Sequence, residues 1–187
     1  MRPRGGEQIV PVTTRLSDEA VNRPVSGFAS PKSRFRRRSL QRGVGTLPTM
    51  AFEVDRSIAV SPEVAFDAMA DARGEVRWNS KVTRSDLVSG EPIAQGSRFQ
   101  TVNRGQQYDA TITEYERPGR LVFVVTGKQL DITTTFTFAA DGRGTLLHGD
   151  FDFRPKGFFR VVFPMMAPMI RRDLPKQMGA FAEFCTR

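Results

Sequence analysis

The stretch Phe52-Glu53-Val54-Asp55-Arg56-Ser57-Ile58-Ala59-Val60-Ser61-Pro62-Glu63-Val64-Ala65-Phe66-Asp67-Ala68-Met69, with Arg77-Trp78-Asn79 soon after it, decides how this chain folds. Phe52, Val54, Ile58 and Val60 fall on one face of an extended segment, because strand side chains alternate with period two. Ser61 is placed to cap the free N–H groups of a following helix, and Pro62 suits its first position, where no N–H is needed. A strand therefore runs into a short helix with almost no loop. A second short helix precedes the only tryptophan, Trp78.

Outward from this stretch, the chain divides by charge. Before Met50 there are ten Lys or Arg and three acidic residues (+7), and from Met50 onward eighteen and seventeen (+1), which together give the net charge of +8. The excess of positive charge belongs to the first 49 residues, so a basic nucleic-acid-binding surface is not expected of the folded domain. Residues 1–49 are rich in Pro, Gly, Ser and Arg and lack a sustained apolar period, a composition too poor in apolar surface to offset ordering entropy. They are expected to be a disordered basic tail. A second reading makes Met50 the true initiator and the preceding residues a mis-assigned start. Residues 50–187 are expected to form one domain.

The single cysteine, Cys185, excludes an internal disulfide, and the single histidine, His148, leaves no imidazole or thiolate cluster for zinc. Neither GxGxxG nor a P-loop pattern occurs, so no metal and no nucleotide cofactor are expected. The most apolar run, Phe158 to Ile170, is short of the ~20 residues that span a bilayer and carries Arg160, Pro164 and Pro168. A cytoplasmic protein without a membrane span is expected.

Turn signals recur at Gly90-Glu91-Pro92, Asn103-Arg104-Gly105, Pro118-Gly119, Gly127-Lys128 and Asp141-Gly142-Arg143-Gly144. Between them lie alternating runs: Phe99 and Thr101; Tyr108, Ala110 and Ile112; Leu121, Phe123 and Val125; Leu130, Ile132, Thr134, Phe136 and Phe138; and Leu147, Gly149, Phe151 and Phe153. These predict a hairpin-linked antiparallel sheet of six or seven strands with one apolar face. Ile170, Leu174, Met178, Phe181 and Cys185 then recur at helical spacing. With Pro164, Pro168 and Pro175 nearby, the spacing predicts a kinked start and a firm helix from about Met169.

This order, with Ser61-Pro62-Glu63-Val64-Ala65-Phe66 and Trp78-Asn79, resembles the polyketide cyclase/dehydrase-like branch of the START and Bet v 1-related (SRPBCC) superfamily. Further matches are Gly96-Ser97-Arg98-Phe99, Glu116-Arg117-Pro118-Gly119-Arg120-Leu121 and Asp141-Gly142-Arg143-Gly144-Thr145. Where such families often carry proline after the Trp-Asn pair, this chain has Ser80. The resemblance covers roughly Met50 to Phe184. It implies an α+β helix-grip fold: a curved antiparallel sheet wrapped around a long C-terminal helix, with two short helices after the first strand and a cavity between sheet and helix. The implied partner is a small hydrophobic or aromatic ligand, lipid- or polyketide-like.

Residue by residue, Phe99, Tyr108, Phe123, Phe136 and Phe151 are expected to face such a cavity, with Met169, Met178 and Phe181 closing it from the helix and Trp78 beside it. Each aromatic is equally suited to plain core packing. Tyr108, which carries a hydroxyl on the expected inner face, is the best candidate for a placed polar group there. Glu114 shares parity with Tyr108 and Ile112 and is expected to point inward, where burial would raise its pKa and suit it to proton transfer. Arg56 shares the inner face of the first strand unless it snorkels to an edge. His148 shares parity with Asp150 and Asp152 and is expected on the solvent side; Cys185 reads as a small buried hydrophobe. Three functions remain open: a ligand-binding protein, an aromatase/cyclase or dehydratase using Tyr108 and Glu114, and a protein-interaction module with the cavity collapsed.

Overall fold

The computed structural model of the chain describes residues 50–142 and 144–187. The expectations for residues 1–49, a basic tail or a mis-assigned start, lie outside the described residues, as does Arg143 of the Asp141–Gly144 turn. Strand β1 (Met50–Ile58) leads into helix α1 (Pro62–Ala70), a 3-10 turn at Ala72–Gly74 and the one-turn helix α2 (Glu75–Trp78). Six strands follow: β2 (Val82–Leu87), β3 (Arg98–Asn103), β4 (Gln106–Glu116), β5 (Arg120–Gly127), β6 (Leu130–Asp141) and β7 (Gly144–Pro155). Helix α3 (Phe159–Cys185) ends the chain.

The seven strands form one antiparallel sheet in the order β1-β7-β6-β5-β4-β3-β2, so β1 closes onto β7 and every other neighbour is joined by a hairpin or a short loop. This is the helix-grip fold expected from the sequence. Phe52, Val54 and Ile58 of β1 are buried, and they meet Phe151, Gly149 and Thr145 across the β1–β7 ladder. Ser61 stands at the N-cap of α1 with extended backbone, but its hydroxyl makes no cap hydrogen bond; its carbonyl accepts from Ala65 N–H at 3.1 Å, and Pro62 fills the first helical position. Phe66 from α1 is fully buried, edge-on to Tyr115 and Phe138 at 5.0 and 5.5 Å between ring centres.

Helix α3 departs from expectation at its start. It is helical from Phe159, ten residues before Met169, with Pro164, Pro168 and Pro175 inside it. All three prolines are exposed and share one outer stripe. The carbonyls that lose an N–H partner at each proline therefore face water, which satisfies them, and the helix continues. On the other side the buried stripe runs from Phe163 through Ala167, Leu174 and Met178 to Phe181 and Ala182. Among the described residues no helix is long and apolar enough to cross a membrane.

Two positions differ from strand parity. A β-bulge between Ile112 and Glu114 shifts the register of β4 against β5. It turns Glu114 toward solvent, where it pairs with Arg120 at 2.5 Å, and gives Tyr115 the inward place against Phe66. Glu114 is therefore not a group of the interior. Arg56 is exposed, and its guanidinium lies over Gly179 of α3, with Nη2 3.4 Å from where a Cβ would stand.

Candidate functional site

Between the concave face of the sheet and α3 lies a cavity of about 390 Å³. Its apolar wall is aromatic. Phe123, Phe136 and Phe151 from β5, β6 and β7 line it, with Phe153, Phe159 and Phe163 nearer the start of α3. Phe136 and Phe151 meet edge to face at 5.7 Å. Gly149 gives the two rings room, since a Cβ there would come within 3.1 Å of Phe151 and 3.3 Å of Phe136 and both would have to shift slightly. Met69, Met166, Met169 and Met178 complete the lining from the two helices, soft side chains that adapt to a varied occupant.

Of the residues singled out in the sequence, the structure gathers Trp78, Tyr108, Phe123, Phe136, Phe151, Met169 and Met178 around this cavity. Phe99 and Phe181 stand behind it. Phe99 is 1% exposed and backs Phe123 edge-on at 6.4 Å; Phe181 is fully buried and backs Trp78 at 5.3 Å. Both face inward as their periodicity requires, but a layer of ring lies between each of them and the space.

The polar residues of the lining concentrate toward one end of the sheet. In the strand register, Tyr108 lies opposite Gly127, Asn103 opposite Gln106, and Val82 opposite Asn103. The β3–β4 turn at this end takes positive φ at both of its residues, Arg104 (51°) and Gly105 (74°). Arg104 Nη2 donates to Asp173 of α3 at 3.4 Å, and Lys81 Nζ reaches the same carboxylate oxygen at 2.5 Å. Lys81 holds the Asp173 carboxyl below the usual carboxylate range, and Arg104 adds to the effect. Asp173 thus ties the helix to the sheet edge across the cavity. Burial raises the Tyr108 phenol above its ordinary pKa, opposed by the Arg104 charge, so the hydroxyl is a neutral hydrogen-bonding group at physiological pH.

The site also contains a pair that strand and helix periodicity did not single out. Glu75, at the start of α2, lines the cavity, and its Oε1 accepts from Asn79 Nδ2 at 2.8 Å. Asn79 is 3% exposed, and its own Oδ1 accepts from Lys81 N–H at 3.2 Å. Burial raises the Glu75 pKa above its ordinary value, and the Asn79 hydrogen bond only partly opposes that. Their i, i+4 spacing, which sets both on one helical face, is the one signal in the sequence by which they could have been found. Trp78, between them, has a buried indole Nε1 without a hydrogen-bond partner among the described residues.

The remaining candidates lie elsewhere. His148 is on the outer face of the sheet, between Asp55 at 2.7 Å and Asp150 at 3.3 Å. Burial opposes its charged form, but the Asp55 hydrogen bond and the two carboxylate charges outweigh this and raise its pKa. Cys185 packs partly against the core, and burial pushes its thiol up to about 11, which suits an inert side chain.

Residues 49–184 match the model of a family described as polyketide cyclase/dehydrase and lipid transport. The chain belongs to that family. No curated protein matches the sequence. Among solved structures, the Zhui aromatase/cyclase from Streptomyces superposes with a TM-score of 0.64 at 11% identity, over 75% of this chain and 95% of that one. A START superfamily protein from Mycobacterium smegmatis superposes with a TM-score of 0.58 at 16% identity, over 74% and 97% of the two chains. At these identities the likeness is one of fold. The polyketide cyclase/dehydrase family thus supplies the frame, and the chemistry has to be argued from this chain's own cavity.

Proposed function

We propose that this member of the polyketide cyclase/dehydrase family binds a small hydrophobic or aromatic ligand in the cavity between its sheet and α3. The observation that carries the proposal is the cavity itself: about 390 Å³ of space, walled by phenylalanine and methionine side chains, with polar groups gathered at one end. Pockets of this volume, mostly apolar with a few placed polar groups, are typical small-molecule sites. Binding draws on burial of the ligand's apolar surface, at ~25 cal/mol per Å². A space of this size also weighs against a pure protein-interaction module, which has no need of one. Native mass spectrometry of the purified protein tests the proposal: a co-purifying lipid or aromatic compound supports it, and a ligand-free protein that no apolar compound stabilises counts against it.

A catalytic reading, polyketide cyclisation or dehydration, draws on one further observation, the placement of Tyr108 in the lining beside the charged groups Lys81, Arg104 and Asp173. In that reading Tyr108 orients or protonates a substrate oxygen, and Tyr108→Phe abolishes turnover while substrate still binds. For a binder, Tyr108→Phe changes affinity alone.

A further inference from the structure

The charged groups that line the cavity are three acids, Asp71, Glu75 and Asp173, and two bases, Lys81 and Arg104. Both bases are committed to Asp173. Asp71 is held by Arg73 through two side-chain hydrogen bonds, of 2.7 and 2.9 Å. Glu75 is different. Among the described residues it has no ion pair, and its one side-chain hydrogen bond is the contact with Asn79 through Oε1. Two cations share the Asp173 carboxylate and Arg73 holds Asp71, so Glu75 is the one carboxyl of the lining that no cation meets among the described residues.

Glu75 is half-buried, and a carboxyl drawn out of water without a cation favours its neutral form, which donates a hydrogen bond. The raised pKa of Glu75 agrees with this. Asn79 fixes which oxygen accepts, since its amide donates to Oε1 and leaves Oε2 for the proton. One turn along, the Trp78 N–H is also a buried donor with no acceptor. A buried donor left unpaired costs free energy that an accepting atom restores. Glu75, which lines the cavity, therefore offers a donor to its occupant.

Building on the binding reading above, we infer that the Glu75–Asn79 pair is the polar recognition pole of the cavity. It selects uncharged ring compounds that carry a hydrogen-bond-accepting oxygen, such as an aromatic ketone, over the bare hydrocarbon. Glu75 is then the residue that sets specificity, and the phenylalanine wall supplies affinity common to all apolar ligands.

Two matched probes separate these contributions: fluorene and 9-fluorenone, titrated calorimetrically at pH 7 into the wild-type protein, Glu75→Leu and Glu75→Gln, each first shown to be folded by near-ultraviolet circular dichroism. Wild type is expected to bind 9-fluorenone about tenfold tighter than fluorene, the ratio one hydrogen bond supports. In Glu75→Leu the ketone-to-hydrocarbon ratio collapses to about one. Glu75→Gln, whose amide still donates, keeps most of it. Fluorene bound as tightly as the ketone, or a ketone preference that survives in Glu75→Leu, overturns the inference and leaves the binding site standing. Failure of both probes to bind overturns the binding reading itself.

Discussion

The Tyr108 ring lies across the Cα of Gly127: a Cβ built there would stand 2.5 Å from Tyr108 Cε1 and 2.9 Å from the Leu130 carbonyl oxygen. The two residues are partners in the β4–β5 register, so glycine leaves the space that the phenol ring fills at the edge of the cavity. Gly127→Ala is expected to push the ring aside and to destabilise by about 1–3 kcal/mol, the range for overpacking. Urea unfolding of both single variants and of the Gly127→Ala/Tyr108→Ala double variant checks this. The double variant should lose less than the sum of the two, because the ring that the new methyl displaces is gone.

Glu75 links stability to pH. Its folded-state pKa lies above that of the unfolded chain, so the native state holds the proton more tightly. Stability from this group is full below the unfolded carboxylate value and is lost as pH rises through the folded value. Glu75→Gln keeps the acceptor for Asn79 and removes the titration. It is expected to raise the urea midpoint at pH 7.5 relative to wild type, with the advantage shrinking toward pH 4.5. An advantage of equal size at both pH values would show that the carboxyl does not titrate differently on folding.

His148 is the only histidine, so its imidazole gives a single titration curve by NMR. The bracketing carboxylates Asp55 and Asp150 predict a midpoint above the ordinary 6.5. The native state then binds the proton more tightly than the unfolded chain. The stability His148 contributes is full below the unfolded pKa and is lost as pH rises through the folded one. Asp55→Asn should lower the NMR midpoint, and His148→Gln should flatten that part of the pH–stability profile. The exposed setting keeps the effect small and sensitive to salt.

Asp173 joins α3 to Lys81 and Arg104 across the cavity. Asp173→Asn weakens both links without changing side-chain size. The expected outcome is faster exchange of a bound apolar probe, several-fold in koff by stopped-flow fluorescence, with a smaller change in the overall melting temperature. An unchanged koff would place ligand passage elsewhere.

Much of this architecture is legible in the chain because burial leaves a period. The β1 face of Phe52, Val54 and Ile58, the aromatic alternation of β5 to β7 and the α3 stripe from Ile170 to Cys185 all follow from which side chains must leave water. The same rule carries the α3 stripe back through Ala167 and Phe163, but the prolines obscure it, since their exposure on the outer face emerges only once the helix is packed. Glu114 escapes the rule because a bulge reverses parity midway along β4, and nothing in Ile112-Thr113-Glu114 announces one. Phe99 and Phe181 show its limit: periodicity separates inside from outside, but not the first layer around a cavity from the layer behind it. The polar end is the least legible, because Lys81, Arg104 and Asp173 meet across 69 to 92 residues of chain.

The central claim, that ligand occupies the space between sheet and α3, is tested most directly by filling that space. Ala110 is buried on β4 and lines the cavity, so Ala110→Phe places a ring where the ligand would sit. Thermal unfolding with increasing fluorene is the measurement. A ligand that binds only the folded state should raise the melting temperature of wild type in proportion to the logarithm of its concentration above Kd. It should leave Ala110→Phe, folded by circular dichroism, unmoved. An equal rise in both proteins, or none in wild type, would contradict the account.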